Sequence, residues 1–247
     1  MLAQPLIVEA LEDNFVPVAI YNNTGGKDKQ ILNQFKEPAW NYQVMRFLDS
    51  SLTDVLPRKD KVWTVNGTAK RLAAALEKSG KDVPGYLQNV LIPETNDDNK
   101  YAAFAMYCFW TGEAKLGSLD GVIATEAGFY DGREVVIVKY NDKKIKLLGL
   151  VAEAEKFECA SAVYLATETD RKLVADKTRL RNVKLFDPKG GYRRAPASDQ
   201  KRQLINTSGL DKLDLTPMQW TKLNSSGVSG QSFRDWLSPR QISMLKK

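Results

Sequence analysis

Few side chains in this 247-residue chain can do covalent chemistry. It contains no histidine, and its two cysteines are Cys108 and Cys159. Without imidazole, Ser-His-Asp and Cys-His nucleophile pairs, His-ligated zinc and histidine proton shuttles are all excluded. The two thiols form no CxxC and are too few to hold a structural zinc or an iron–sulfur cluster, so no metal site is expected. A lone thiolate, a carboxylate, a lysine amine or a tyrosine phenol remains. Cys108 stands where a strand runs into a helix, followed by Phe109 and Trp110. Helix N-terminal amides and the helix dipole favour a thiolate at such a place. By residue type alone, a lone cysteine is more often a packing residue. Glu134, by the same standard, is an exposed carboxylate at the start of an apolar strand, and Phe109 and Trp110 are core. Glu113 reads as a structural acid in the first helical turn.

The elements that must position these residues fall into two blocks. The first reads as a helix end from Pro5 to Asp13, a strand from Phe15 to Tyr21 and a Gly25-Gly26 turn. A helix from Lys27 to Phe35, strands from Tyr42 to Leu48 and near Asp54 to Pro57, and a helix from Thr68 to Ser79 follow. In the last helix Leu72, Ala75 and Leu76 share one face, and Gly80 follows as a stop signal. Residues 91–100 are mostly polar and rich in turn formers, which marks a linker between domains 1–90 and 101–210. The second block alternates strands (102–106, 122–127, 134–140, 160–165) with helices (110–119, 145–155, 167–178), an α+β pattern. Residues 211–247 read as a C-terminal tail with Trp220, Phe233 and Trp236 among serines and glycines. Packing of these rings back on the body is favoured over an exposed partner segment, because three exposed large aromatics would make an aggregation-prone patch.

Composition bounds the partners. The chain is 43% hydrophobic and 27% charged, which rules out general disorder. Its net charge of +6 is compatible with contact to nucleic acid or a membrane surface. The basic clusters Lys143-Lys144-Ile145-Lys146 and Lys177-Thr178-Arg179-Leu180-Arg181, however, lack interleaved aromatics and read as solvated faces, so no nucleic-acid partner is expected. No apolar run approaches the ~18 residues of a membrane span. Met1-Leu2-Ala3-Gln4 shows no basic segment or cleavage site of a secretory signal. The compartment stays open between cytoplasm and, if an upstream signal is missing, export.

The stretch CFWTGEAKLGSLDGVIATEAGFYDGREVVIVKY, Cys108 to Tyr140, resembles the signature of peptide methionine sulfoxide reductase A. Members of that family read GCFW, a Glu five residues after the Cys, a PGV-like turn, a GYTGG-like segment and a strand carrying the catalytic Glu. Here these are Cys108-Phe109-Trp110, Glu113, Leu119 to Val122, Gly128 to Gly132, and Arg133-Glu134-Val135-Val136 with Tyr140. Downstream, Glu158 to Thr167 resembles the family's QYRSAIY strand and Ser198 to Leu204 its EDxHQxYL helix, so the resemblance covers about residues 100–208. It implies a mixed-sheet two-layer α+β sandwich. It also implies thiol-dependent reduction of methionine-S-sulfoxide, free or in proteins, with no bound cofactor. The Cys108 thiolate would attack the sulfoxide sulfur and become a sulfenic acid, and the Glu134 acid would protonate the oxygen. Burial beside aromatic rings would favour the protonated form of Glu134. Phe109 and Trp110 would receive the substrate methyl group, and an external thiol such as thioredoxin would return the enzyme to its reduced state.

The chain departs from the family pattern in several places. Met106 and Tyr107 stand before the cysteine, and the loop that carries one oxygen-binding tyrosine is almost absent, leaving Tyr130 as the nearest phenol. The second family tyrosine aligns with Cys159. If so placed, Cys159 would attack the Cys108 sulfenic acid as a resolving cysteine; a buried packing cysteine is the equal alternative. A degenerate, non-catalytic scaffold that binds a ligand or protein is the alternative function. The first block, about residues 3–90, resembles an incomplete thioredoxin fold on LIVEALEDNFVPVAIYNN and EPAWNYQVMRFLD. That α/β domain would lack its redox half and its first strand, as in a product shortened upstream of Met1, with Pro38 in the position of the family's cis-proline.

Overall fold

The computed structural model describes residues 2–37, 43–92 and 97–245, and the chain divides into two compact units, Met1–Leu91 and Ile92–Lys247. In the first unit, α1 (Pro5–Asn14) and α2 (Gly26–Gln34) precede two short antiparallel strands, β1 (Val44–Met45) and β2 (Lys59–Asp60). Helices α3 (Val65–Lys78) and α4 (Gly85–Leu91) follow. The Thr64 hydroxyl caps α3 by accepting from Gly67 N–H, and Gly80 past its end takes a positive φ of 68°. Ile7, Leu72, Leu76 and Leu87 are fully buried between α1, α3 and α4. In the same unit Glu37 binds two arginines, Arg46 and Arg58. Hydrogen bonds from Arg58, opposed by partial burial and joined by Arg46, hold its carboxyl below the usual range.

The expected strand from Phe15 to Tyr21 does not form. No strand is formed by the segment, Val16 and Val18 are exposed, and Pro17 brings no N–H to a ladder. Around Asp54 there is only an isolated bridge to Leu48. The expected thioredoxin-like sheet is therefore not seen among the described residues, and Pro38 lies outside them.

The second unit is α+β. Its sheet has six strands in the order β7-β6-β3-β5-β4-β8. They are β3 (Asn99–Met106), β4 (Val122–Tyr130), β5 (Arg133–Asn141), β6 (Ala162–Leu165), β7 (Val183–Leu185) and β8 (Arg193–Arg194). The β6–β7 pair is parallel and the other pairings are antiparallel, so the sheet is mixed. β4 and β5 join through Asp131-Gly132, with φ of 53° and 70°, the two-residue turn that Asp-Gly favours. That turn fixes the register: Tyr130 faces Arg133, and Phe129 faces Glu134.

Strand alternation sorts the core into two faces. Ala102, Phe104, Met106, Val136 and Val138 meet residues of α5 (Phe109–Ser118), α6 (Leu147–Lys156) and α7 (Glu168–Lys177). Ala103, Ala105, Val135 and Tyr164 meet Phe186, Tyr130 and Tyr192 on the opposite face.

The C-terminal segment supplies α8 (Pro217–Asn224), the short α9 (Ser226–Ser229) and α10 (Pro239–Leu245). Trp236 is buried and Trp220 and Phe233 pack in the same cluster with Ile123, Leu215 and Leu223. Gly117 of α5 lets α8 come close; a Cβ there would stand 2.5 Å from the Ser225 Oγ. Lys222, 5% exposed, donates to the carbonyls of Gly117 (2.8 Å) and Leu119 (2.7 Å) and so closes the C-terminal end of α5. Burial pushes its pKa down to about 8. A pKa depressed on folding means that the unfolded chain binds more protons between about 8 and the ordinary 10.5. Wild-type stability, measured against Lys222→Met by denaturant titration, is therefore expected to rise by ~2–3 kcal/mol as pH climbs through that window. Below it the relative stability should be flat.

Candidate active site at the head of helix α5

Cys108 leaves β3 in an extended conformation (φ −137°, ψ 112°) and occupies the N-cap of α5 without making a side-chain cap bond. It is half-buried. The first turn closes through Gly112 N–H to the Cys108 carbonyl at 3.1 Å. The cap comes from across the sheet: the Glu134 Oε2 accepts from the Phe109 N–H at 2.8 Å. This places the carboxylate at the amide next to the thiol-bearing residue, at the positive end of α5. Among the described residues the other carboxyl oxygen, Oε1, has no protein partner.

The register explains the meeting. Met106 on β3 faces Glu134 on β5, and Glu134 faces Phe129 on β4, so the three share one side of the sheet. Phe109 lies edge-on to Phe129 at 5.4 Å between ring centroids and 6.2 Å from Trp110. The three rings form an apolar wall beside the Cys108–Glu134 corner. The Trp110 Nε1 is buried and unbonded among the described residues. A Cβ on Gly112 would stand 1.8 Å from the Met106 Sδ and 3.1 Å from a Val136 methyl, so a larger residue must push aside the buried tip of Met106. Gly112→Ala is expected to cost ~1–3 kcal/mol in denaturant unfolding. It should also lower turnover by lifting Phe109 from Glu134.

Two sequence expectations change. Tyr130 was expected to bind the sulfoxide oxygen, but it points to the opposite face of the sheet. There its ring packs on Tyr164 and Phe186, and its hydroxyl accepts from Asp187 N–H at 3.1 Å. The reason is parity: Glu134 pairs with Phe129, one residue earlier. Phe129 is the residue that the sequence reading missed, and the Asp-Gly turn is the signal that finds it, by counting outward from the loop. Glu113 is structural, but not as a first-turn acid. It is the fifth residue of α5 and fully buried. It accepts from Lys201 N–H (2.8 Å), the Lys201 ammonium (2.5 Å) and the Thr125 hydroxyl (3.2 Å).

Cys159 lies in the core on the helix-bearing face, 2% exposed, with its thiol donating to the Phe157 carbonyl at 3.4 Å. Burial is the largest influence and pushes its pKa up, opposed by Lys115. Those surroundings suit packing better than nucleophilic attack. Both cysteines are free.

Among the described residues no group of His, Cys, Asp and Glu is arranged to hold a metal, and no helix is long and apolar enough to cross a membrane. A cleft of about 520 Å³ is lined in part by Ala197, Gln200, Lys201, Leu204 and Trp220; neither Cys108 nor Glu134 lines it.

No family model and no curated protein matches the chain. Among solved structures it is similar to methionine sulfoxide reductase A of Corynebacterium diphtheriae, with 16% identity and a TM-score of 0.37 over 45% of this chain and 77% of that one. It is also similar to Mxr1 from Saccharomyces cerevisiae in an unusual oxidized form, with 16% identity and a TM-score of 0.34 over 51% of this chain and 92% of that one.

Proposed function

We propose that the Cys108–Glu134 corner reduces methionine-S-sulfoxide. The observation that carries this reading is the Glu134 carboxyl, anchored through Oε2 to the amide of Phe109, the residue that follows Cys108, with no protein partner on its other oxygen among the described residues. The sulfoxide methyl group would lie against Phe109, Trp110 and Phe129, which offer apolar surface and no charge. The Cys108 thiolate attacks the sulfoxide sulfur, a sulfur–sulfur bond forms, and the oxygen takes a proton from Glu134. Transfer of that oxygen to Cys108 breaks the bond, releasing the thioether and leaving Cys108 as a sulfenic acid. Two equivalents of an external thiol then reduce the sulfenic acid, giving water and a disulfide. A dithiol of the thioredoxin type would do this in one encounter. Cys159, buried with its thiol on the Phe157 carbonyl, is read as a packing residue.

The test is turnover. Methionine formation from the S epimer of N-acetyl methionine sulfoxide with dithiothreitol should exceed that from the R epimer, and no formation from either would remove the reading. One observation favours a second reading, a binding scaffold without turnover: Tyr130, the phenol expected to hold the oxygen, faces the other side of the sheet. In that case sulfoxide binds to the protein but is recovered unchanged.

A further inference from the structure

Two cations flank the aromatic wall without acids to neutralise them. Arg193 on β8 faces Phe129, which extends the row to Met106, Glu134, Phe129 and Arg193 across four strands. Its guanidinium carbon stands 4.2 Å from the centre of the Phe129 ring. Arg202, in a 3-10 turn spanning Arg202–Leu204, stands 4.8 Å from the centre of the Trp110 ring and donates to the Ser198 carbonyl at 3.4 Å. Among the described residues neither has a carboxylate at ion-pair distance, whereas neighbouring Arg194 pairs with Glu126 at 3.0 Å. Stacking on a ring holds a guanidinium plane in place and leaves its edge N–H groups free for a bidentate carboxylate.

Strands lie ~4.8 Å apart, so Arg193 is roughly 10 Å from Glu134 along the row. An extended chain advances ~3.3–3.6 Å per residue. With the sulfoxide at Glu134, an arginine side chain reaching inward meets a carboxylate within about three residues of the oxidised methionine. We infer that Arg193 and Arg202 make this site selective for methionine sulfoxide that carries a nearby carboxylate. That group is either the free amino acid's own α-carboxylate or an aspartate or glutamate close by in a peptide. The inference rests on the reading of the Cys108–Glu134 corner as a sulfoxide site.

The experiment has two readouts. Binding to Cys108→Ser, which cannot turn over, is measured for two matched pairs. One pair is N-acetyl methionine-S-sulfoxide and its methylamide; the other is a peptide with the sulfoxide beside Asp and the same peptide with Asn. KM is measured for the same pairs on wild type. The charged member of at least one pair should bind about tenfold more tightly, with the advantage falling steeply in salt. The pair that shows it identifies the source of the carboxylate. The advantage should vanish in Arg193→Gln/Arg202→Gln with kcat on the neutral substrates retained. Equal affinities and equal KM within both pairs overturn the inference, as does a preference that survives the double substitution. Turnover with no preference overturns the inference alone; no binding and no turnover of any sulfoxide overturn the underlying reading with it.

Discussion

Glu134→Gln should lower the rate of sulfoxide reduction by ~10²–10⁴ while leaving the melting temperature within error of wild type. The two effects separate because the side chain has two tasks, one on each oxygen. Oε2 accepts from the Phe109 N–H and anchors the head of α5, and a glutamine oxygen can accept the same bond. The second position then carries an amide, which donates a hydrogen bond but cannot release a proton to the leaving oxygen. Glu134→Ala removes both tasks. It should lose the same activity and in addition destabilise the helix terminus by ~0.5–2 kcal/mol, the usual cost of a lost cap. If the glutamine variant keeps wild-type kcat and kcat/KM, Glu134 is an anchor only.

Glu113→Ala should be strongly destabilising. The Glu113 side chain is 0% exposed and that of Lys201 15% exposed, so removing the acid leaves a mostly buried ammonium with the Thr125 carbonyl but no counter-charge. Breaking such a pair from one side costs ~3–5 kcal/mol. At ~2–4 °C per kcal/mol for a chain of this size, a fall of roughly 6–20 °C in Tm follows. The backbone adds to the effect, because Lys201 holds a positive φ of 50° while its N–H binds the same carboxylate. Removing both charges together, as Glu113→Met/Lys201→Met, should recover much of the loss, since an apolar pair of similar volume is often neutral against a buried ion pair. A single Glu113→Ala within ~1 kcal/mol of wild type would show that the pair contributes little.

Much of the second unit can be read from its residues. The strands around 102–106 and 134–140 are apolar runs, the latter β-branched, and the Cys108-Phe109-Trp110 junction reads as strand into helix, which is where the structure has it. What failed there was parity. Assigning Tyr130 to the site required knowing which of two adjacent residues shares a face with Glu134, and a slip of one residue in a strand reverses every side chain. The Asp131-Gly132 turn contained that information. Arg193 was not legible, because β8 has only two residues and its register depends on a partner distant in sequence. Nor was the bond between Glu113 and Lys201, which joins positions 88 residues apart. In the first unit, Val16, Val18 and Ile20 alternate as a strand would, yet alternation gives no neighbour to pair with, and the segment lies exposed.

The most direct measurement is a single turnover without reductant. Wild-type protein is mixed with a stoichiometric amount of methionine-S-sulfoxide in the presence of dimedone, and methionine release and intact mass are followed together. The Cys108 sulfenic acid chemistry predicts methionine in proportion to protein and a dimedone adduct on Cys108, both absent in Cys108→Ser. Methionine no higher than in Cys108→Ser, with the sulfoxide recovered and Cys108 unmodified, would contradict it.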